Sequence, residues 1–125
     1  MAAESSTRLL FGRKARLKQP REFSRIRLEG RRLALGCLIA NWRALPPGSA
    51  TRLGVITGKR IGTAVARNRA RRLLRETFRL HQHELRQPVE LVLVARESIT
   101  GKDFDGVEQD YLATLRKAGL LKETK

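Results

Sequence analysis

The stretch Gly58-Lys59-Arg60-Ile61-Gly62-Thr63-Ala64-Val65-Ala66-Arg67-Asn68-Arg69-Ala70-Arg71-Arg72-Leu73-Leu74-Arg75-Glu76 decides how the whole chain is read. A basic loop with two glycines leads into a segment, Thr63 to Leu85, whose apolar residues recur at helical spacing. On a helix turning about 100° per residue, Ala66, Ala70, Leu73, Leu74, Thr77, Phe78 and Leu85 share one side. Asn68, Arg71, Arg72, Arg75 and Arg79 fall on the other, with Arg67 and Arg69 flanking the first turn. One face is built to pack and the opposite face is an arginine stripe. Like charges one turn apart destabilise an isolated helix, so burial of the apolar face has to outweigh them.

Working outward, Arg52-Leu53-Gly54-Val55-Ile56-Thr57 reads as a strand before this helix. Val89-Glu90-Leu91-Val92-Leu93-Val94-Ala95 reads as a strand after it, central because it is almost continuously apolar. Leu33 to Arg43 is another apolar strand, with Gly36 as a bulge. The turn at Pro46-Pro47-Gly48-Ser49 suggests a hairpin between Leu33–Arg43 and the strand at Arg52. Pro20-Arg21-Glu22-Phe23 begins a short helix with Phe23, Ile26 and Leu28 on its apolar stripe, ended by Gly30. Asp103 to Lys117 carries Phe104, Val107, Tyr111, Leu112 and Leu115 at helical spacing and should cover a sheet face. Residues 1–7 read as a disordered tail, and Arg8 to Arg16 as a basic arm.

The chain has 125 residues with 27 Lys or Arg against 12 Asp or Glu, a formal charge of +15. Residues 1–75 hold 19 basic and three acidic residues, so all the excess lies there, because residues 76–125 hold eight basic and nine acidic. A field this concentrated is the footprint of a phosphate-backbone partner. At 41% hydrophobic residues the chain can also bury a core. No apolar run approaches the roughly 20 residues of a membrane span, and MAAESSTRLL lacks the apolar centre of a secretory signal. The single cysteine, Cys37, excludes an internal disulfide and reads as an inert core thiol. A soluble intracellular domain is expected.

A membrane-surface helix or a helix for a partner's groove would need its apolar face free. This one lies between two strands, which favours nucleic acid. His81 and His83 with Glu84 stand two apart, the wrong spacing for ligands on one helical face, and read as solvated helix-end residues. Asp103 and Asp105 suit the start of the last helix. No Ser/His/Asp arrangement is visible.

Lys59 to Glu76 resembles the signature of the bacterial ribonuclease P protein component, a basic loop followed by AV-x-RNR-x-(K/R)R-x-x-RE. Arg21-Glu22-Phe23, Arg52-Leu53-Gly54-Val55 and Leu91-Val92-Leu93-Val94-Ala95-Arg96 resemble the family's flanking elements, in the same order. The resemblance implies an α/β sandwich of the α+β kind, similar to the second domain of ribosomal protein S5. Its element order would be α-β-β-(β)-α-β-α, with a left-handed βαβ crossover through the arginine helix, against the usual handedness. It implies one domain over residues 8–120, with 121–125 as a C-terminal tail. It also implies the protein subunit of a ribonucleoprotein endonuclease that removes the 5′ leader of precursor tRNA. Its partners would be ribonuclease P RNA, one protein per RNA, and precursor tRNA, with no membrane or DNA, in the bacterial cytoplasm. Magnesium (Mg2+) would be held mainly by the RNA and substrate phosphates, with no catalytic residue or metal ligand on the protein. A structural RNA-binding protein of ribosomal type is the alternative.

Carried over by position, Lys59, Arg60, Arg67, Asn68, Arg69, Arg71, Arg72 and Arg75 would form the RNA-binding face. Phe23, Arg27, Asn41, Trp42 and Arg96 would line a cleft for the leader. Three positions depart from the family pattern. Arg27 stands where many relatives have a second aromatic, four residues after Phe23. Asn41 stands where many have an aromatic near the strand's end, with Trp42 beside it facing either cleft or core. Gly58 replaces a common serine.

Overall fold

The structure is a computed structural model that describes residues 16, 17 and 19–122. The expectations for the 1–7 tail and most of the basic arm lie outside these residues. Among the described residues, three helices and a four-stranded mixed sheet follow in the order α1 (Pro20–Glu29), β1 (Arg31–Leu35), β2 (Leu38–Ala44), β3 (Arg52–Ile56), α2 (Ala64–His81), β4 (Val89–Ala95) and α3 (Phe104–Ala118). Short 3-10 turns at Lys59–Ile61, Gln82–Glu84 and Glu97–Gly101 join the later elements.

The sheet order is β1-β2-β4-β3. β4 pairs antiparallel with β2 and parallel with β3, so the most apolar strand is central and α2 crosses between parallel neighbours. Two local expectations are corrected. Leu33 to Arg43 is not one bulged strand but a hairpin, with Leu35 paired to Leu38. Gly36 makes the turn at φ +63°, where a Cβ would also press within 2.4 Å of the Asp110 carboxyl. Only glycine meets both conditions. The Pro46–Ser49 turn does not close a hairpin, because β4 inserts between β2 and β3.

Side-chain alternation along the strands divides the molecule into three layers. Ala40 and Trp42 on β2, Leu53 on β3, and Leu91 and Leu93 on β4 face one way. They bury against Ala70, Leu74 and Phe78 of α2 and Val107, Tyr111 and Leu115 of α3. α1 lies on the other face, where Ile26 is fully buried with Leu17 and Val92. Leu28 does not join that stripe and is 84% exposed. Glu90 of β4, only 4% exposed, accepts from Arg25 at 2.9 Å and Arg43 at 3.1 Å. These pairings give a buried carboxylate two cationic partners and tie α1 to the sheet, as does Arg52 to Glu22 at 2.8 Å.

The ends follow capping rules. Thr63 accepts from Ala66 N at the start of α2, Asp103 from Gly106 N at the start of α3, and Gly119 closes α3 in the left-handed conformation. α2 stops at His81, short of Leu85. The edge of β3 is met by the arm, where Leu17 N donates to Leu53 O at 2.8 Å. Two residues of the expected tail at 121–125 are described, and both touch the domain. Leu121 bridges to Leu85, and Lys122 N donates to Glu84 O at 2.7 Å.

Candidate nucleic-acid interface

Two surfaces meet at the Lys59–Ile61 turn. The first is the outer face of α2. Ala70, Leu74, Thr77 and Phe78 are buried, which turns Asn68, Arg69 and Arg72 outward, with Arg67, Arg71, Arg75 and Arg79 half-buried. The side chains are braced rather than simply splayed. Arg67 donates to Gly62 O at 2.6 Å. Arg71 donates to Thr57 Oγ1 at 2.5 Å and to Asn68 Oδ1, so Asn68 orients a guanidinium. Arg69 leans to the opposite flank and donates to Lys102 O at 2.5 Å, where α3 approaches. Arg79 forks onto Glu76 at 3.0 and 2.6 Å. Arg72 makes no hydrogen bond or ion pair among the described residues.

The electrostatics mark one end of the stripe. Burial, then the positive charges of Arg16 and Arg71, hold the Arg75 guanidinium below its ordinary pKa. Three guanidinium groups thus share a neighbourhood where an anion is favoured. Asn68, Arg71, Arg72 and Arg75 stand together on one side, as the spacing predicts, while Arg69 stands apart. Lys59 and Arg60 are exposed on the turn before the helix, and Arg60 lies 3.9 Å from Glu97.

The second surface is the half of the sheet that α1 leaves open. Pro20, Phe23, Ser24 and Arg27 of α1 face Asn41, Ile56, Val92 and Val94 across a concavity of about 260 Å³. Ile56 and Val94 also line a second concavity, with Ile39, Lys59, Arg60 and Arg96. The two form one groove from α1 to the basic turn. Phe23 leans over Gly54, where a Cβ would come within 2.4 Å of its ring.

Of the residues expected in the cleft, Phe23, Arg27 and Asn41 line its first part and Arg96 the second. Trp42 does not: it is 8% exposed and belongs to the core on the opposite face. Neighbours in a strand point to opposite faces, so Asn41 and Trp42 could never share one. Ile39, Ile56, Val92 and Val94, the groove floor, were not expected. Their parity along β2 and β4 was the available signal.

His81 is not a solvated end residue. Its ring bridges Glu84 at 2.6 Å and Glu108 at 2.7 Å, above Tyr111. Burial and the nearby Asp110 carboxylate push the Cys37 thiol up to about 12, in keeping with an inert core thiol. Among the described residues no three His, Cys, Asp or Glu side chains gather as a metal-binding group. No helix among them is long and apolar enough to cross a membrane.

Fold and site together define a class: a small α/β protein with surplus charge on one helix and its leading turn, beside a half-open sheet face. The model of the Ribonuclease P family matches residues 11–119. The ribonuclease P protein component of Syntrophomonas wolfei is 40% identical over 113 residues, covering 89% of this chain and 92% of that protein. That of Dictyoglomus turgidum is 32% identical over 115 residues, covering 90% and 96%. Among solved structures, the RNase P protein of Staphylococcus aureus shares the fold with a TM-score of 0.79 at 23% identity, over 86% of this chain and 98% of that one. The RNase P protein from Thermotoga maritima matches with a TM-score of 0.72 at 27% identity, over 82% and 96%. The chain belongs to the ribonuclease P protein component family.

Proposed function

We propose that this chain acts as the protein subunit of ribonuclease P, binding its RNA subunit and the 5′ leader of precursor tRNA. The observation that carries the reading is the meeting of two unlike surfaces at one turn. A braced arginine face suits a phosphate backbone. The adjoining groove, apolar on its floor and edged by Phe23, Arg27 and Arg96, suits an unpaired strand whose bases offer flat faces. Lys59 and Arg60 border both, so one RNA and one substrate strand can be held side by side.

Lys59, Arg60, Arg67, Arg71, Arg72 and Arg75 are assigned to the RNA subunit, with Asn68 setting Arg71. Arg69, on the α3 flank, is assigned a contact with a separate part of that RNA. Phe23 and Arg27 are assigned to leader binding, with Arg96 at the far end of the groove and Asn41 on its floor. Hydrolysis of the phosphodiester is assigned to the RNA, with magnesium on RNA and substrate phosphates. The protein's part is to bind and align. One protein per RNA and a cytoplasmic site of action complete the proposal.

The test is cleavage of a 5′-labelled precursor tRNA by a bacterial ribonuclease P RNA at low magnesium, with and without this protein. Protein-dependent release of the intact leader with a correct 5′ end supports the reading. RNA binding with no gain in correct cleavage, across several such RNAs, would instead favour a structural RNA-binding protein of ribosomal type.

A further inference from the structure

Arg69 owes its place on the α3 flank to one backbone oxygen, Lys102 O, to which its guanidinium donates at 2.5 Å. Lys102 belongs to the short link between the Glu97–Gly101 turn and α3, where a carbonyl would ordinarily move with its loop. Here it is fastened. Lys102 N donates to Ile99 O at 3.1 Å. The lysine stem crosses Gly106 of α3, where a Cβ would lie 3.2 Å from Lys102 Cδ. Its ammonium lies 3.4 Å from Asp110 Oδ2, and the same oxygen accepts from Cys37 N at 2.9 Å. Burial opposes charge on Asp110, but Cys37 and Lys102 win, and its pKa is lowered. A neutral acceptor would serve Cys37 N as well, so the negative charge at this position answers Lys102.

We infer that Asp110 is a positioning residue for RNA binding: through Lys102 it fixes the carbonyl that sets Arg69 before the RNA arrives. The inference rests on the assignment of Arg69 to the RNA subunit. A free arginine gives up side-chain freedom when it meets a phosphate. One already braced on a fixed oxygen gives up less, and the rest of its fork remains for the ligand. An acid near a polyanion otherwise weakens binding by repulsion. Positioning and repulsion therefore predict opposite signs when the charge at Asp110 is removed.

The experiment titrates the full chain against a bacterial ribonuclease P RNA, reading affinity and its salt slope for Asp110→Asn, Arg69→Ala and the double variant. Asparagine keeps an oxygen for Cys37 N. Arg69→Ala should lose about tenfold in affinity, the scale of one hydrogen bond to a charged group. Asp110→Asn should weaken binding about threefold to tenfold, and by less than about twofold once Arg69 is alanine, the coupling of residues in one network. With Arg75→Ala in place of Arg69→Ala, the effect of Asp110→Asn should be undiminished. Asp105→Asn, which removes another acid from the first turn of α3, should leave affinity unchanged or raise it. Should Asp110→Asn fail to fold, Lys102→Met replaces it in the cycle, and its loss should shrink in the same way without Arg69. Binding that holds or tightens with Asp110→Asn, or a loss from either variant that is equal with and without Arg69, overturns the inference while Arg69 keeps its contact. If Arg69→Ala itself changes neither affinity nor slope, Arg69 lies outside the interface and the inference falls with that assignment.

Discussion

Gly54 shows how one missing methyl places a functional side chain. An added Cβ would lie 2.4 Å from Phe23 Cε1 and 3.2 Å from Leu17 Cβ, so Gly54→Ala must push the ring or α1 away from the sheet. The expected cost is about 1–3 kcal/mol, as for other overpacked sites, read as a lower thermal midpoint. Leader affinity should fall more than affinity for mature tRNA; equal losses would mean that Phe23 has no special part in leader binding. His81 gives a second prediction. Burial opposes its charge, but hydrogen bonds to Glu108 and Glu84 and their negative charge win, and its pKa is raised. A pKa raised on folding adds stability that is complete below the unfolded value, about 6.5, and is lost as pH rises through the folded value. The urea midpoint should therefore drop as pH climbs beyond about 6.5, and His81→Gln should flatten that drop. An identical slope in both proteins would mean the bridge to Glu108 does not persist in solution.

Among the elements, α2 is where charge and packing separate most cleanly. Arg71→Ala combined with Arg75→Ala removes two guanidinium groups from the crowded end of the stripe. RNA affinity should fall, and the log–log salt slope should shrink by about 0.7–0.9 for each phosphate the variant no longer neutralises. An unchanged slope would take this end of the helix out of the interface. The spacing of Ala70, Leu74, Thr77 and Phe78 made this helix legible, since a period near 3.6 has one structural solution. The β1–β2 hairpin was not legible, because its turn lies inside an apolar run with only Gly36 to mark it. Nor was the insertion of β4 between β2 and β3, a pairing set by tertiary packing rather than by local pattern. The groove was legible only in part for the same reason. Phe23, Arg27 and Asn41 follow from motif positions, but the facing of Trp42 depends on register, where one step turns a side chain to the other face.

For the whole molecule, the surplus charge makes free and bound protein respond to salt in opposite directions. The free domain carries +15, and self-repulsion is relieved as ions screen it. Moderate salt should therefore raise its thermal midpoint while weakening its hold on RNA, measured on the same samples by calorimetry and by filter binding. A midpoint that falls with salt would show that attractive pairs such as Arg25–Glu90 outweigh the repulsion. The position of β4 has a consequence for synthesis. It is the last strand made, yet it separates β2 from β3 and supplies Val92 and Val94 to the groove. A chain growing on the ribosome has incorporated all its excess positive charge by residue 75, before any of β4 has been made. Until β4 also emerges, that segment is a polycation with an open sheet, leaving a machine built largely of RNA. Completion of a single central strand then closes the sheet and the groove together, so translation cannot release a half-built binding site.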